Sequence, residues 1–246
     1  SIGGTLGLTR DREGRPVVLG VEIVDVTSGL NAAIAILAAL LARQASGEGQ
    51  YIDISMLDCT VSLIPMETGH CLGTGESSPA SALEVLPHYG IFETADGDYL
   101  ALGIVHEDWF WNDLCDALGM EDVKGLNTME RIARHAELSE RLESTIRTRA
   151  LAEWLELLAG YDVPASRINS VREALEDPQV RHRGMVVELA GADSCPFVAS
   201  PVKLTRTPPR IHSPAPKLGE HTDALLKEAG LEEAEIKELR EAGAIQ

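Results

Sequence analysis

At 246 residues, 44% of them apolar, the chain is long enough to bury a substantial core as one large domain or two small ones. Lys plus Arg number 21 against 39 Asp plus Glu, a formal charge of −18 that repels nucleic-acid phosphates and anionic lipid heads. No uninterrupted apolar run of the ~18–20 residues needed for a membrane span stands out, and the opening lacks the basic start and apolar stretch of a signal peptide, so nucleic acid and membrane are both excluded as expected partners.

The opening, Ser1 to Pro16, is Gly-rich and charged and reads as loop before a short apolar strand, Val17–Val21. Asp25 to Gly29 follows, then Leu30 to Ala42 with almost nothing polar, a pattern that predicts a helix apolar all round and therefore buried. Ser46 to Gly49 stops it, and Tyr51 to Met56 alternates with the period of a half-buried strand. Strand, helix, strand is the outline of an α/β unit with a parallel sheet. Asp58 is placed to cap a further helix running through Leu63.

Gly73 to Pro79 reads as a linker, and beyond it the grammar changes. Tyr89–Glu93 and Tyr99–Ile104 flank Ala95-Asp-Gly-Asp98, a hairpin with a Gly-containing turn. Helical patterns follow at Trp109–Leu118, Ala136–Arg149 and Ala152–Ala159, with Gly119 and Gly160 as stops. The predicted division is 1–79 for a large α/β domain with its linker, 80–187 for a small α+β domain, and 188–246 for a closing segment. That segment holds a Pro-rich extended stretch, Pro201 to Pro216, and a charged amphipathic helix, Asp223–Ala242. The cysteines Cys59, Cys71, Cys115 and Cys195 are scattered with no C-x-x-C pair, which points to neither zinc nor a redox dithiol and suits a reduced, cytoplasmic setting.

Asp25 is the first candidate for chemistry, since a carboxylate between an apolar strand and a helix start faces N-terminal amides and stays ionised, as a nucleophile must. Capping that helix explains the same residue. The segment Gly103 to Trp111 sets His106, Glu107 and Asp108 beside three aromatics, as an acid/base pair at an acyl pocket requires. The structural alternative is that Glu107 and Asp108 occupy the favourable first turn of a helix whose aromatics are core. His70, between glycines, is either a loop ligand or structural. Lys203, Arg206 and Arg210 either meet phosphates or face solvent. Spacing alone leaves the reaction undetermined.

Asp25-Val-Thr-Ser-Gly-Leu30, the apolar helix ending at Arg43, Ser46-Gly-Glu-Gly-Gln50 and Ile52-Asp-Ile-Ser-Met-Leu-Asp58 resemble the central segment of class III CoA-transferases, a family that includes α-methylacyl-CoA racemases. The likeness continues through Tyr89 to Gly97, Leu114 to Gly119, Val163-Pro164, Ile168 to Val180, Arg183 to Met185 and Leu218 to Thr222, in collinear order. The resemblance implies a partial Rossmann-like large domain, a small α+β domain, a C-terminal segment returning to the large domain, and an interlocked homodimer. It also implies that Asp25 matches a nucleophilic aspartate, that a coenzyme A thioester is a substrate with no permanently bound cofactor or metal, and that a small carboxylic acid is the acceptor.

There are two departures from the family. Its members carry an N-terminal nucleotide-binding half, which implies a missing segment or a companion subunit here. Those acting on formyl-CoA carry a glycine run that the stretch from Gly73 to Ser81 lacks. Two other readings stand beside transfer. In a racemase, Asp25 works with a glutamate that falls on Glu107 or on His106 according to where the alignment is anchored. In a catalytically silent partner subunit, the chain only assembles.

Overall fold

In the computed structural model, residues 2–11, 13–77, 83–189 and 196–245 are described. The chain divides into two compact units, Ser1–Ile168 and Asn169–Gln246.

The first unit opens with a short helix, α1 (Thr5–Leu8), a loop closed by the Arg10–Pro16 bridge, and the long helix α2 (Ile23–Ser46). Gly47 ends α2 in the left-handed conformation (φ 77°), donating its N–H to Arg43. Two short helices follow, α3 (Met56–Ser62) and α4 (Pro65–Thr74), and α2 packs against α3. This part departs from the sequence reading. Thr5–Leu8, read as loop, is helical, and α4 reaches into the start of the stretch 73–79 read as a linker. The stretches 17–21 and 51–55 form no strand, because an apolar run at the first and alternation at the second supply an extended preference but no ladder partner is present among the described residues. The α2 helix starts upstream of Asp25, and none of its residues is buried. Val26, Leu30, Ile34, Leu37 and Leu41 are 57–66% exposed. Ser55, not Asp58, caps α3, its Oγ accepting the Asp58 N–H at 3.3 Å. Finally, α2 is long and apolar enough to cross a membrane by length and composition, with mean hydropathy 1.9, although no such run stands out in the sequence. A core helix of a soluble protein meets the same criteria.

The rest of the unit is a packed α+β body. Strands β1 (Tyr89–Glu93), β2 (Tyr99–Gly103) and β3 (Ala165–Arg167) form an antiparallel sheet in that order, with Phe92 opposite Leu100 and Leu102 opposite Ala165. The β1–β2 turn needs Gly97 at φ 80°. Thr94 Oγ1 donates to Asp96 Oδ1 at 2.6 Å, and Asp96 in turn accepts the Leu151 N–H, tying the hairpin to a helix start.

Helices α5 (Asp108–Leu118), α6 (Thr128–Ala133), α7 (His135–Ile146) and α8 (Leu151–Ala159) cover the body, with the 3₁₀ turn Glu121–Val123 between α5 and α6. Their apolar residues recur at helical spacing, Trp111, Leu114 and Cys115 on α5 and Leu138, Leu142 and Ile146 on α7, and all are buried against Phe92, Leu100 and Leu102. Both core indoles place their polar atom: Trp111 Nε1 donates to Val123 O at 3.0 Å and Trp154 Nε1 to Ile146 O at 2.7 Å. The expected hairpin, the three helices and the stop at Gly119 are all present.

The second unit contains α9 (Val171–Glu176), α10 (Pro178–His182), the strand pair β4 (Val186–Val187) and β5 (Phe197–Val198), α11 (Thr222–Glu228) and α12 (Glu233–Glu241). Ser170 closes a capping box with Glu173, and Asp177 caps α10. The single helix expected over Asp223–Ala242 is two, since Gly230 at φ 96° breaks it. Pro201 to Pro216 is irregular and almost wholly exposed. Cys195 lies outside the described residues.

Candidate functional site

Asp25 sits in the first turn of α2, exposed, and Glu22 rather than Asp25 occupies the cap position. The capping explanation for Asp25 therefore fails: its side chain makes no cap hydrogen bond. Helix geometry leaves the N–H groups of Val24 and Asp25 without intrahelical acceptors, and the positive end of a 24-residue helix faces the carboxylate.

Beside this helix end lies a cleft of about 450 Å³, lined by Thr5, Arg10, Leu19, Ile23, Ile64 and Glu67 among others. Arg10 is pinned there by backbone carbonyls on either side of it, Nε donating to Gly7 O at 3.0 Å and Nη1 to Gly14 O at 2.8 Å. Ile23 lines the cleft and Asp25 does not, as residues two apart on a helix point to different sides.

His106 and Glu107 lie in the turn between β2 and α5. Glu107 is the cap residue of α5, but its carboxylate faces back into the turn, where Oε2 accepts the N–H of Val105 and that of His106, each at 3.0 Å. Hydrogen bonds from the turn's backbone N–H groups, its own and those of Val105 and His106, hold its carboxyl below the usual glutamate range. His106 is exposed. Asp108 begins α5, and its Oδ1 accepts from Arg131 Nη1 at 2.8 Å. Of the three aromatics, Trp111 is core, whereas Trp109 is 61% exposed and tilts against Phe110 with ring centroids 5.5 Å apart.

His70 lies on α4 and not on a loop, while Lys203, Arg206 and Arg210 are exposed in irregular chain. Among the described residues no hydrogen bond or ion pair joins Asp25 to His106 or Glu107, and no group of His, Cys, Asp and Glu is arranged to hold a metal.

Two buried polar residues escaped the sequence reading. His88, fully buried, donates from Nε2 to Val105 O at 3.2 Å and tilts over Trp111 at 5.2 Å. Burial pushes its imidazole down to about 4, only partly opposed by the Val105 hydrogen bond, and the Arg131 charge adds to the shift. Arg131, also fully buried, bonds Asp108, Leu126 O and Thr128 Oγ1, and its guanidinium lies 5.4 Å from the Trp111 ring. The available signal was Asn127-x-x-Glu130, a capping box that fixes where α6 begins and hence which way Arg131 points.

The model of CoA-transferase family III matches residues 1–222. This chain belongs to that family. Within it, the chain is 31% identical to the succinate–glutarate CoA-transferase of Agrobacterium fabrum, covering 92% of this chain and 58% of that protein. It is 32% identical to the succinyl-CoA:mesaconate CoA-transferase of Haloarcula marismortui, covering 94% and 60%. A solved CAIB/BAIF family protein from Brucella suis superposes with a TM-score of 0.77 at 29% identity, covering 92% of this chain and 60% of that one. The chain thus spans about three-fifths of the length of these family III relatives.

Proposed function

We propose that this protein transfers coenzyme A from an acyl-CoA to a carboxylic acid through covalent intermediates on Asp25. The observation that carries the reading is the family match over residues 1–222, within which Asp25 occupies the exposed first turn of the long helix. An Asp25 carboxylate oxygen attacks the donor thioester carbonyl and expels the CoA thiolate, leaving a mixed anhydride. The thiolate attacks the Asp25 carbonyl, releasing the donor acid and forming an aspartyl-CoA thioester. The acceptor carboxylate then displaces the thiolate from Asp25, and the thiolate takes the acceptor acyl group, restoring the free carboxylate. Two unpaired N–H groups and the helix dipole stabilise the oxyanions formed along the way.

The related enzymes from Agrobacterium and Haloarcula are named for succinate, glutarate and mesaconate, all dicarboxylic acids, so we assign a dicarboxylate acceptor. A homodimer, a cytoplasmic setting and the three-part division at 79 and 187 belong to the same proposal. No observation favours α-proton exchange, for which Glu107 would have to leave its backbone partners.

Hydroxylamine added to the native protein during turnover with succinyl-CoA should convert Asp25 to its hydroxamate, read by peptide mass. Turnover without that adduct contradicts the covalent route.

A further inference from the structure

Among the described residues, the buried side-chain nitrogen and oxygen atoms without a hydrogen-bond partner are His88 Nδ1 and Arg131 Nε, and both belong to residues flanking one indole, Trp111. Fully buried polar side chains are costly unless their other atoms are well used. Here those atoms converge on one short turn. His88 Nε2 grips Val105 O, and Arg131 Nη1 grips Asp108 Oδ1, three residues on. Between these anchor points lie His106 and Glu107, and the Glu107 carboxylate closes the turn from inside on two N–H groups. A carboxylate that accepts two backbone N–H bonds is a poor proton acceptor, because taking a proton weakens both. Among the described residues the His106 side chain makes no hydrogen bond or ion pair, and it is exposed, with the exposed Trp109 three residues on in the first turn of α5.

We infer that His88 and Arg131 are positioning residues that clamp the Ile104–Asp108 turn, that Glu107 is the turn's internal anchor and neither acid nor base, and that His106 is the side chain the turn offers to a ligand oxygen, a carboxylate or a thioester carbonyl. Only the ligand's chemistry rests on the CoA-transfer reading; the clamp stands on geometry alone.

The test is NMR on the full chain, following amide exchange together with the Glu107 carboxyl and the histidine ring signals. In Arg131→Lys, which keeps the charge but loses the fork, and in His88→Gln, the Val105 and His106 amides should exchange about tenfold faster or more. The Glu107 carboxyl should titrate higher, towards the ordinary glutamate range, while the Leu142 and Ile146 amides hold their rates. Should either buried variant fail to fold, Asp108→Asn removes Arg131's charged partner from the exposed side and is expected to give the same signature. On adding succinyl-CoA to the unaltered protein, the His106 ring signals should shift while those of His88 and the Glu107 carboxyl stay in place.

Val105 and His106 amides that are unprotected in the unaltered protein, or unchanged in every variant, overturn the clamp. A Glu107 response to succinyl-CoA, or silence from His106, overturns the role given to His106. The exchange and carboxyl measurements involve no CoA chemistry, so they decide for or against the clamp even if Asp25 cannot be trapped.

Discussion

Helix α2 and the body built on β1, β2 and β3 are both rich in apolar residues, yet one has no buried residue and the other buries nearly every large side chain it aims inward. In the body, Trp111, Leu142, Ile146 and Trp154 find partners on three helices and a sheet within about 80 residues of chain. The α2 stripe through Leu30, Ile34, Leu37 and Leu41 meets solvent. Apolar patterning states which face needs a cover; whether the cover is present is a separate fact. About two-fifths of the length of the relatives lies outside the part this chain matches.

The largest effects should separate the two regions by energy. Trp154→Ala removes a fully buried indole and is expected to cost ~3–5 kcal/mol in denaturant unfolding. Leu37→Ala on α2 should stay within ~0.5 kcal/mol, as at an ordinary surface site. Conversely, Leu37→Glu should lower binding of a hydrophobic dye, which Trp154→Ala should raise. Comparable costs for the Trp154 and Leu37 alanine variants would mean that α2 is covered after all.

The body should also carry an acid sensitivity centred on His88. His88 is held neutral in the fold, with its pKa down at about 4 from an ordinary 6.5, so the unfolded chain binds more protons between those values. Stability is therefore full above about pH 6.5 and falls as pH drops towards 4, by roughly 3 kcal/mol from this group. The groups facing it are Arg131 and His106, which oppose its protonation, and Glu107, which favours it. Unfolding curves at stepped pH, with His88→Gln flattening the slope in this window, would bear this out. An equal slope in the variant would assign the loss to other groups.

A smaller effect is expected near α2. A Cβ at Gly3 would collide with the Thr60 side chain on α3, so Gly3→Ala should cost ~1–3 kcal/mol, and Thr60→Ser should recover part of it by removing the methyl group it strikes. Full stability of Gly3→Ala would show that the opening segment is not seated on α3.

The sequence was most legible where structure is local. The Asp96-Gly97 turn, the helix stop at Gly119 and the apolar spacing of α5, α7 and α8 each depend on neighbours a few residues away, and all appear as expected. Strands at 17–21 and 51–55 did not appear, because a strand is a relation to another chain segment, and neither an apolar run nor alternation says where that segment is. Asp25 was legible as a site candidate but not as a non-cap, since the helix start moved back to Ile23 and gave the cap position to Glu22. His88 and Arg131 stayed hidden for the opposite reason. Charged and polar residue types are usually at the surface, and only the tertiary packing around Trp111 turns them inward.

Replacing Asp25 with Asn tests the central claim most directly. The side chain is exposed and makes no cap hydrogen bond, so Asp25→Asn should leave folding unchanged apart from the ~0.3–1 kcal/mol of a first-turn charge at a helix N-terminus. It cannot form the anhydride. In the native protein, transfer of labelled succinate into succinyl-CoA should be lost in this variant while its circular dichroism matches the parent and its thermal midpoint falls by no more than ~4 °C. Exchange near the parent rate by a well-folded Asn variant would show that Asp25 is not the nucleophile.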